Sequence, residues 1–246
     1  SETLQKATMQ TVLELVTAVR QFYTTYPNDG QTPLHFAART GKIKVFLDIF
    51  EVMEKKNPSD NKGETPLHIA AEKGILQLCE YIITKTSNKN PADKFGSTPL
   101  HLAAREGHLD VCRLIIEKVE NKNPAKNNGS TPLHWAARNG HLKVCSLIMK
   151  VLANKNPGRT DGWTPLHSAA QGGHSKVCSL IMEGLVNKNP GHNDGWTQLH
   201  FAAQNGHSKV CSVLLENQVN KNPTNSNGEN PLHLNTSKRK GKGRAP

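Results

Sequence analysis

Between residues 98 and 130 the apolar positions form two unlike stretches. Val111, Cys112, Leu114, Ile115 and Val119 recur at helical spacing, with Asp110, Arg113, Glu117 and Lys118 on the opposite side. This pattern predicts an amphipathic helix from about Leu109, one face in a core and one in water. A shorter helix precedes it. The Thr98 hydroxyl can accept a hydrogen bond from a free amide of the first turn, and Pro99 suits the first helical position, where its missing donor costs nothing. That helix runs from Pro99 to about Arg105. Its Ala103-Ala104 pair lets another backbone approach closely, and Gly107 ends it with left-handed freedom. Beyond the second helix, Asn121-Lys122-Asn123-Pro124 stops the chain because a residue before proline is pushed out of the helical region. Asn127-Asn128-Gly129 then supplies turn chemistry.

The same arrangement returns along the chain. Thr32-Pro33-Leu34-His35 recurs at Thr65, Thr98, Thr131 and Thr164, then as Thr197-Gln198-Leu199-His200 and Asn230-Pro231-Leu232-His233, each step being 33 residues. A fixed period of this size means a row of supersecondary units, none able to bury its apolar face alone. Gly96, Thr98-Pro99-Leu100-His101, Ala103-Ala104 and Gly107-His108 together resemble the ankyrin repeat, and the resemblance extends over roughly residues 28–234. It implies an all-α ankyrin-repeat solenoid of helix-turn-helix units joined by hairpin-like loops.

The units expected are a capping half repeat at 1–31, six repeats at 32–64, 65–97, 98–130, 131–163, 164–196 and 197–229, an incomplete seventh at 230–236 and a basic disordered tail at 237–246. Val12, Leu13, Val16 and Val19 keep the register of a second helix in the cap. The Ala-Ala pair becomes Asn235-Thr236 in the seventh unit. A stack needs a covered last face, so the chain reads as a fragment of a longer one. Two departures stand out inside the repeats. Met53, Val119, Leu152, Leu185 and Gln218 occupy the place after the second helix where the family usually has glycine, and Gln198 replaces a helix-opening proline.

Composition narrows the function. The 246 residues are 35% hydrophobic and 5% aromatic, as suits an extended stack. Their longest apolar runs are a few residues, too short to span a membrane. Cys79, Cys112, Cys145, Cys178 and Cys211 share one position of successive repeats, which Phe46 and Leu13 also hold. A column that accepts Phe and Leu is core. Helices packed about 8 to 10 Å apart place equivalent thiols beyond the alpha-carbon separation of about 7 Å that a disulfide tolerates. Free buried thiols fit a reducing compartment, so the chain is expected to be intracellular, cytoplasmic or nuclear.

Twelve histidines raise the question of a metal. Seven belong to the tetrapeptide, where the resemblance implies a structural hydrogen bond near the threonine, and His108, His141, His174 and His207 follow the inter-helix glycine. A ladder of one or two per layer does not converge three or four ligands on one ion. No nucleophile, phosphate-loop or zinc-protease motif is present. The reading is a non-enzymatic chain without metal or cofactor, acting as a monomer.

The net charge is +11, of which Lys238, Arg239, Lys240, Lys242 and Arg244 in the tail supply five. Lys56, Lys89, Lys122, Lys155, Lys188 and Lys221 form a stripe, joined by Lys143, Lys176 and Lys209. Such a stripe suits a solvated face. With the tail it also supports an alternative, binding of nucleic acid or another polyanion, though no aromatics are interleaved for stacking. A scaffold segment of a larger protein is a further alternative.

Positions that differ between otherwise similar repeats are free of the packing constraint. The resemblance implies that they lie on hairpin tips and on the exposed side of the first helices, forming a concave surface for a protein partner. Phe95 occupies a tip beside Lys94, where other units have Asp161 or Asp194. Trp163 and Trp196 stand just before a helix cap, and Trp135 follows His134. Arg105 and Arg138 end first helices. These nine residues, Phe95, Lys94, Trp135, Trp163, Trp196, Arg105, Arg138, Asp161 and Asp194, are the expected partner-binding set, with the aromatics as anchors.

Overall fold

The computed structural model describes residues 13, 17, 29–185, 191–217 and 220–231. Val12, Val16, Val19, Lys188, Gln218, His233, Asn235-Thr236 and the basic tail lie outside the described residues. Two compact units make up the chain, Ser1–Ala103 with Asp110–Glu120 and Ala104–Leu109 with Asn121–Pro246. In the first, α1 (Pro33–Thr40) pairs with α2 (Ile43–Val52) and α3 (Pro66–Glu72) with α4 (Leu76–Lys85); α5 (Pro99–Glu106) is divided between the units after Ala103, and α6 (Leu109–Lys118) belongs to the first from Asp110 on. In the second, α7 (Pro132–Arg138) pairs with α8 (Leu142–Lys150), α9 (Pro165–Gly172) with α10 (Ser175–Glu183), and α11 (Gln198–Gln204) with α12 (Ser208–Asn217). The first helices stack on one another, α7 on α9 on α11, and the second helices do likewise, α8, α10, α12. No described residue is in a strand.

Helices of seven or eight residues are marginal alone, so both their ends must be tied. The N-terminal tie differs from the simple hydroxyl cap expected at threonine. Each tetrapeptide histidine sits at the third helical position and reaches back: the Thr131 amide donates to His134 Nδ1 at 3.2 Å, and the Thr131 hydroxyl lies 2.9 Å from the same nitrogen. Thr32, Thr65, Thr98, Thr164 and Thr197 repeat this within 0.1 to 0.2 Å. It is a capping box with histidine in the role usually taken by Glu or Gln. An acceptor at Nδ1 leaves the proton on Nε2, which donates to the next hairpin: His35 to the Glu64 carbonyl, His68 to Ser97, His134 to Trp163 and His200 to Glu229, at 3.0 to 3.1 Å.

A second tie comes from Asn-Lys-Asn-Pro, which does more than stop a helix. The ammonium of Lys89 donates to the carbonyls of Ile83 and Thr86 at 2.8 and 3.1 Å, and Lys56 binds those of Phe50 and Glu51. These are the orphan acceptors of a helix end, so lysine does there what a C-terminal glycine motif commonly does. The backbone at Met53 and Thr86 accordingly leaves the helix extended, with φ of −75° and −123°. The second asparagine then serves the next first helix. Asn57, Asn90, Asn123 and Asn156 each accept the amide of the leucine ten residues on, at 3.0 to 3.3 Å. Two lysines assigned to a solvated stripe are therefore structural.

A third tie is made by the histidines after the inter-helix glycine. His141, His174 and His207 donate through Nε2 to the carbonyls of Arg105, Arg138 and Gln171 in the preceding layer, at 2.8 to 3.0 Å. Gly140, at φ +75°, admits the His174 ring against its alpha carbon, where any Cβ would collide.

The core lies between first and second helices. Val144, Cys145, Ile148 and Met149 are at most 5% exposed, as are Val177, Cys178, Ile181 and Met182. That two-plus-two spacing is rotated relative to the stripe read from the sequence, because a second helix packs against its own partner and its stacked neighbours. In α6, Ile116 is buried, Leu114 is half-buried and Val119 falls beyond the helix. The thiol column is buried from Cys79 to Cys178; Cys211, in the last described second helix, is half-buried, and Leu13 at its start is 60% exposed, not core. Gln198 is fully buried, its amide 3.2 Å from the His167 ring, so the lost proline is replaced by a packed polar contact.

Candidate functional site

In two hairpins of the first unit an aspartate closes the turn on itself. Asp60 Oδ1 accepts the amides of Lys62 and Glu64, and Asp93 Oδ1 those of Phe95 and Ser97, at 2.6 to 2.9 Å. Phe95 projects from this turn 62% exposed, and the Lys94 amide donates to the Lys62 carbonyl of the neighbouring tip.

Three hairpins of the second unit are wired differently, while Asn225 keeps the first arrangement, accepting the amides of Asn227 and Glu229, and Asp29 of the first unit already shows the second, accepting that of Gln31. The positions equivalent to Asp60 and Asp93 are Lys126, Arg159 and His192. The turn acceptor moves two residues on, to Asn128, Asp161 and Asp194, which bind the amides of Ser130, Trp163 and Trp196 at 3.0 Å. Asp161 and Asp194 thus use one oxygen to fix the backbone of a tryptophan. Their other contacts are also internal: Arg159 Nη2 lies 2.7 Å from Asp161, and His192 lies 2.7 Å from Asp194 and 3.8 Å from Asp161. Burial would raise both carboxyls, but the tryptophan amides, with Arg159 and His192, outweigh it and hold them below the usual carboxylate range.

The basic residues at these positions face rings. Lys126 Nζ is 5.4 Å from the Trp135 ring centroid and the Arg159 guanidinium 5.9 Å from that of Trp163. Trp163 and Trp196 are half-buried, not fully exposed as the register suggested, because Phe201 comes between them with centroids at 4.6 and 5.0 Å. His167 and His200 lie 5.5 Å from the same two tryptophans. Trp163 Nε1 donates to Ser168 Oγ at 2.8 Å. Phe201 was missed in the sequence because its column also holds Phe36, Ile69, Leu102 and Trp135, so it looked like ordinary packing. The signal that could have found the cluster is the switch from aspartate to a basic residue at 126, 159 and 192.

In that column Ser168 stands between Trp135 and Phe201, and its small side chain leaves a notch. The groove is about 270 Å3, lined by Trp135, Trp163, Arg138, Arg159, Ser168 and Gln171. This is below the pockets of about 300 to 1,000 Å3 that hold drug-sized ligands. It admits a side chain. Arg138 is exposed with no carboxylate at ion-pair distance among the described residues, whereas Arg105, half-buried, is tied to Glu106 at 2.7 Å. Trp135 Nε1 and Arg159 Nε are buried without a hydrogen-bond partner. Among the described residues no three His, Cys, Asp or Glu side chains gather as for a metal, and no helix is long and apolar enough to cross a membrane.

A family model described as Ankyrin repeats (3 copies) matches residues 4–93, 78–157, 114–189, 146–225 and 184–240. The chain belongs to the ankyrin-repeat family. Ankyrin repeats are generally protein–protein interaction modules and typically non-enzymatic. No curated protein matches this ankyrin chain.

Proposed function

We propose that this ankyrin chain is a non-enzymatic recognition module that binds a partner protein through the hairpin tips and first helices of its second unit. The observation that carries the reading is the groove at Ser168, framed by Trp135 and Trp163 and continued by Phe201 and Trp196. Large rings held half-buried by their neighbours lose little entropy on binding and still offer area, which is what interface anchors require. Asp161 and Asp194 position the tryptophans, while Trp135, Trp163, Trp196 and Arg138 meet the partner. Phe95, with Lys94, offers a separate exposed contact in the first unit, and Arg105 contributes through its carbonyl, which holds the His141 ring.

Selection of randomised displayed peptides on the chain tests this. Recovered binders are expected to weaken when Trp163→Ala or Arg138→Glu is introduced and to be indifferent to Lys176→Glu on the second-helix side. Binders that ignore the first two substitutions would refute the assignment of the face.

A further inference from the structure

The groove also carries information about what enters it. Its cations outnumber its acids. Arg138 and Arg159 line it and Lys126 lies against the Trp135 ring, Asp161 opposes them, and that carboxylate is already held by Arg159 and the Trp163 amide. Lys126 and Arg138 have no carboxylate at ion-pair distance among the described residues. Two buried donors of the lining, Trp135 Nε1 and Arg159 Nε, lack acceptors, and a buried donor left unpaired costs about 1 to 3 kcal/mol. Negative charge supplied from outside answers the surplus of cations. Between the cations the notch at Ser168 is walled by indole rings, which suits an apolar side chain.

Resting on the reading above, we propose that the preferred ligand is an acidic segment of a partner protein in which one apolar side chain, flanked on both sides by carboxylates, enters the Ser168 notch. The flanking spacing follows from geometry. Successive layers lie about 8 to 10 Å apart and an extended chain rises about 3.3 Å per residue. A carboxylate about three residues from the apolar anchor therefore meets Lys126 one layer away, while Arg138 and Arg159 flank the anchor itself.

The test uses four fluorescein-labelled synthetic peptides of one length: a leucine among aspartates, the same with asparagine for aspartate, with lysine for aspartate, and with alanine for leucine. Fluorescence anisotropy on the intact chain is expected to rank the acidic leucine peptide at least tenfold tighter than each of the others. Its affinity should fall with added salt, because exposed charges are screened over about 10 Å at 0.1 M. Arg138→Glu, at an exposed position, should weaken it at least tenfold, and Ser168→Phe, which fills the notch with a residue its own column already accepts, should do the same. A circular dichroism melt confirms that each variant is folded. Equal binding of the asparagine or lysine peptide, undiminished binding by folded Arg138→Glu, or no binding of the acidic peptide overturns the proposal. A short single-stranded DNA competing as well as the acidic peptide makes the ligand a polyanion and overturns it too. Selected peptides that are neutral yet sensitive to Trp163→Ala would leave the recognition face standing and remove only its acidic preference.

Discussion

His134 Nε2 donates to the backbone carbonyl of Trp163 at 3.1 Å. One neutral ring therefore caps its own helix through Nδ1 and fixes the tryptophan of the next hairpin through Nε2. A proton added at Nδ1 would face the Thr131 amide, a donor against a donor. Burial is the main reason that His134 is pushed down to about 4 and His167 to about 3, and His35, His68 and His200 are lowered as well.

Stability should depend on pH accordingly. These histidines have folded pKa values below the ordinary 6.5, so between the two values the unfolded chain binds more protons. Their contribution is fully present above about pH 6.5 and is lost as pH falls toward 4, a tenfold difference in proton affinity being worth about 1.4 kcal/mol. Urea midpoints measured at pH 7.5 and 5 should differ markedly. His134→Gln, which keeps an acceptor for the cap, should fold and reduce that difference; a midpoint independent of pH over this range would show that the rings titrate freely.

The thiol column makes a second expectation. Burial pushes Cys79, Cys145 and Cys178 up to about 12 and raises Cys211. The thiolate is the reactive form, so a disulfide reagent near pH 8 should label Cys211 first and the other four only as the chain unfolds. Simultaneous labelling of all five in the native protein would contradict their burial.

The ties made by Asn-Lys-Asn-Pro predict a cost where a solvated stripe predicts none. Lys89→Met removes two charge-assisted bonds to a helix end and should cost about 1 kcal/mol at this half-exposed place, and Asn90→Ala, which orphans the Leu100 amide, about the same. Lys143→Met, exposed on α8, should stay within about 0.5 kcal/mol. Equal effects of Lys89→Met and Lys143→Met on the denaturation midpoint would return Lys89 to the solvent.

Much of this architecture was legible because it repeats. Thr-Pro, the Ala pair and the glycines each state a local backbone preference, and a 33-residue period multiplies the signal. What was not legible are contacts between side chain and distant backbone, such as Asn90 with Leu100 ten residues on or His141 with Arg105 thirty-six back, since polar residues in loops look alike whether bonded or solvated. The site was half legible. Trp163 and Trp196 stood out as departures within their column, whereas Phe201, Lys126, Arg159 and Ser168 acquire meaning only from which rings and carboxylates the stacked layers bring beside them.

That difference separates the aromatics energetically. Phe95 is 62% exposed on a turn that Asp93 already closes, so Phe95→Ala should change stability by less than about 0.5 kcal/mol. Trp163 packs on Phe201, donates to Ser168 and lies under Arg159. Trp163→Ala should therefore cost about 1 to 3 kcal/mol, below the 3 to 5 of a fully buried ring. Phe201→Ala should cost a similar amount. The double variant should lose less than the two single losses together by about 0.5 to 1.5 kcal/mol, the worth of an aromatic pair beyond its area. Chemical denaturation of the four proteins measures this coupling. Strict additivity would mean that Trp163 and Phe201 are neighbours without mutual support, and that the groove wall they form is not preorganised for a ligand.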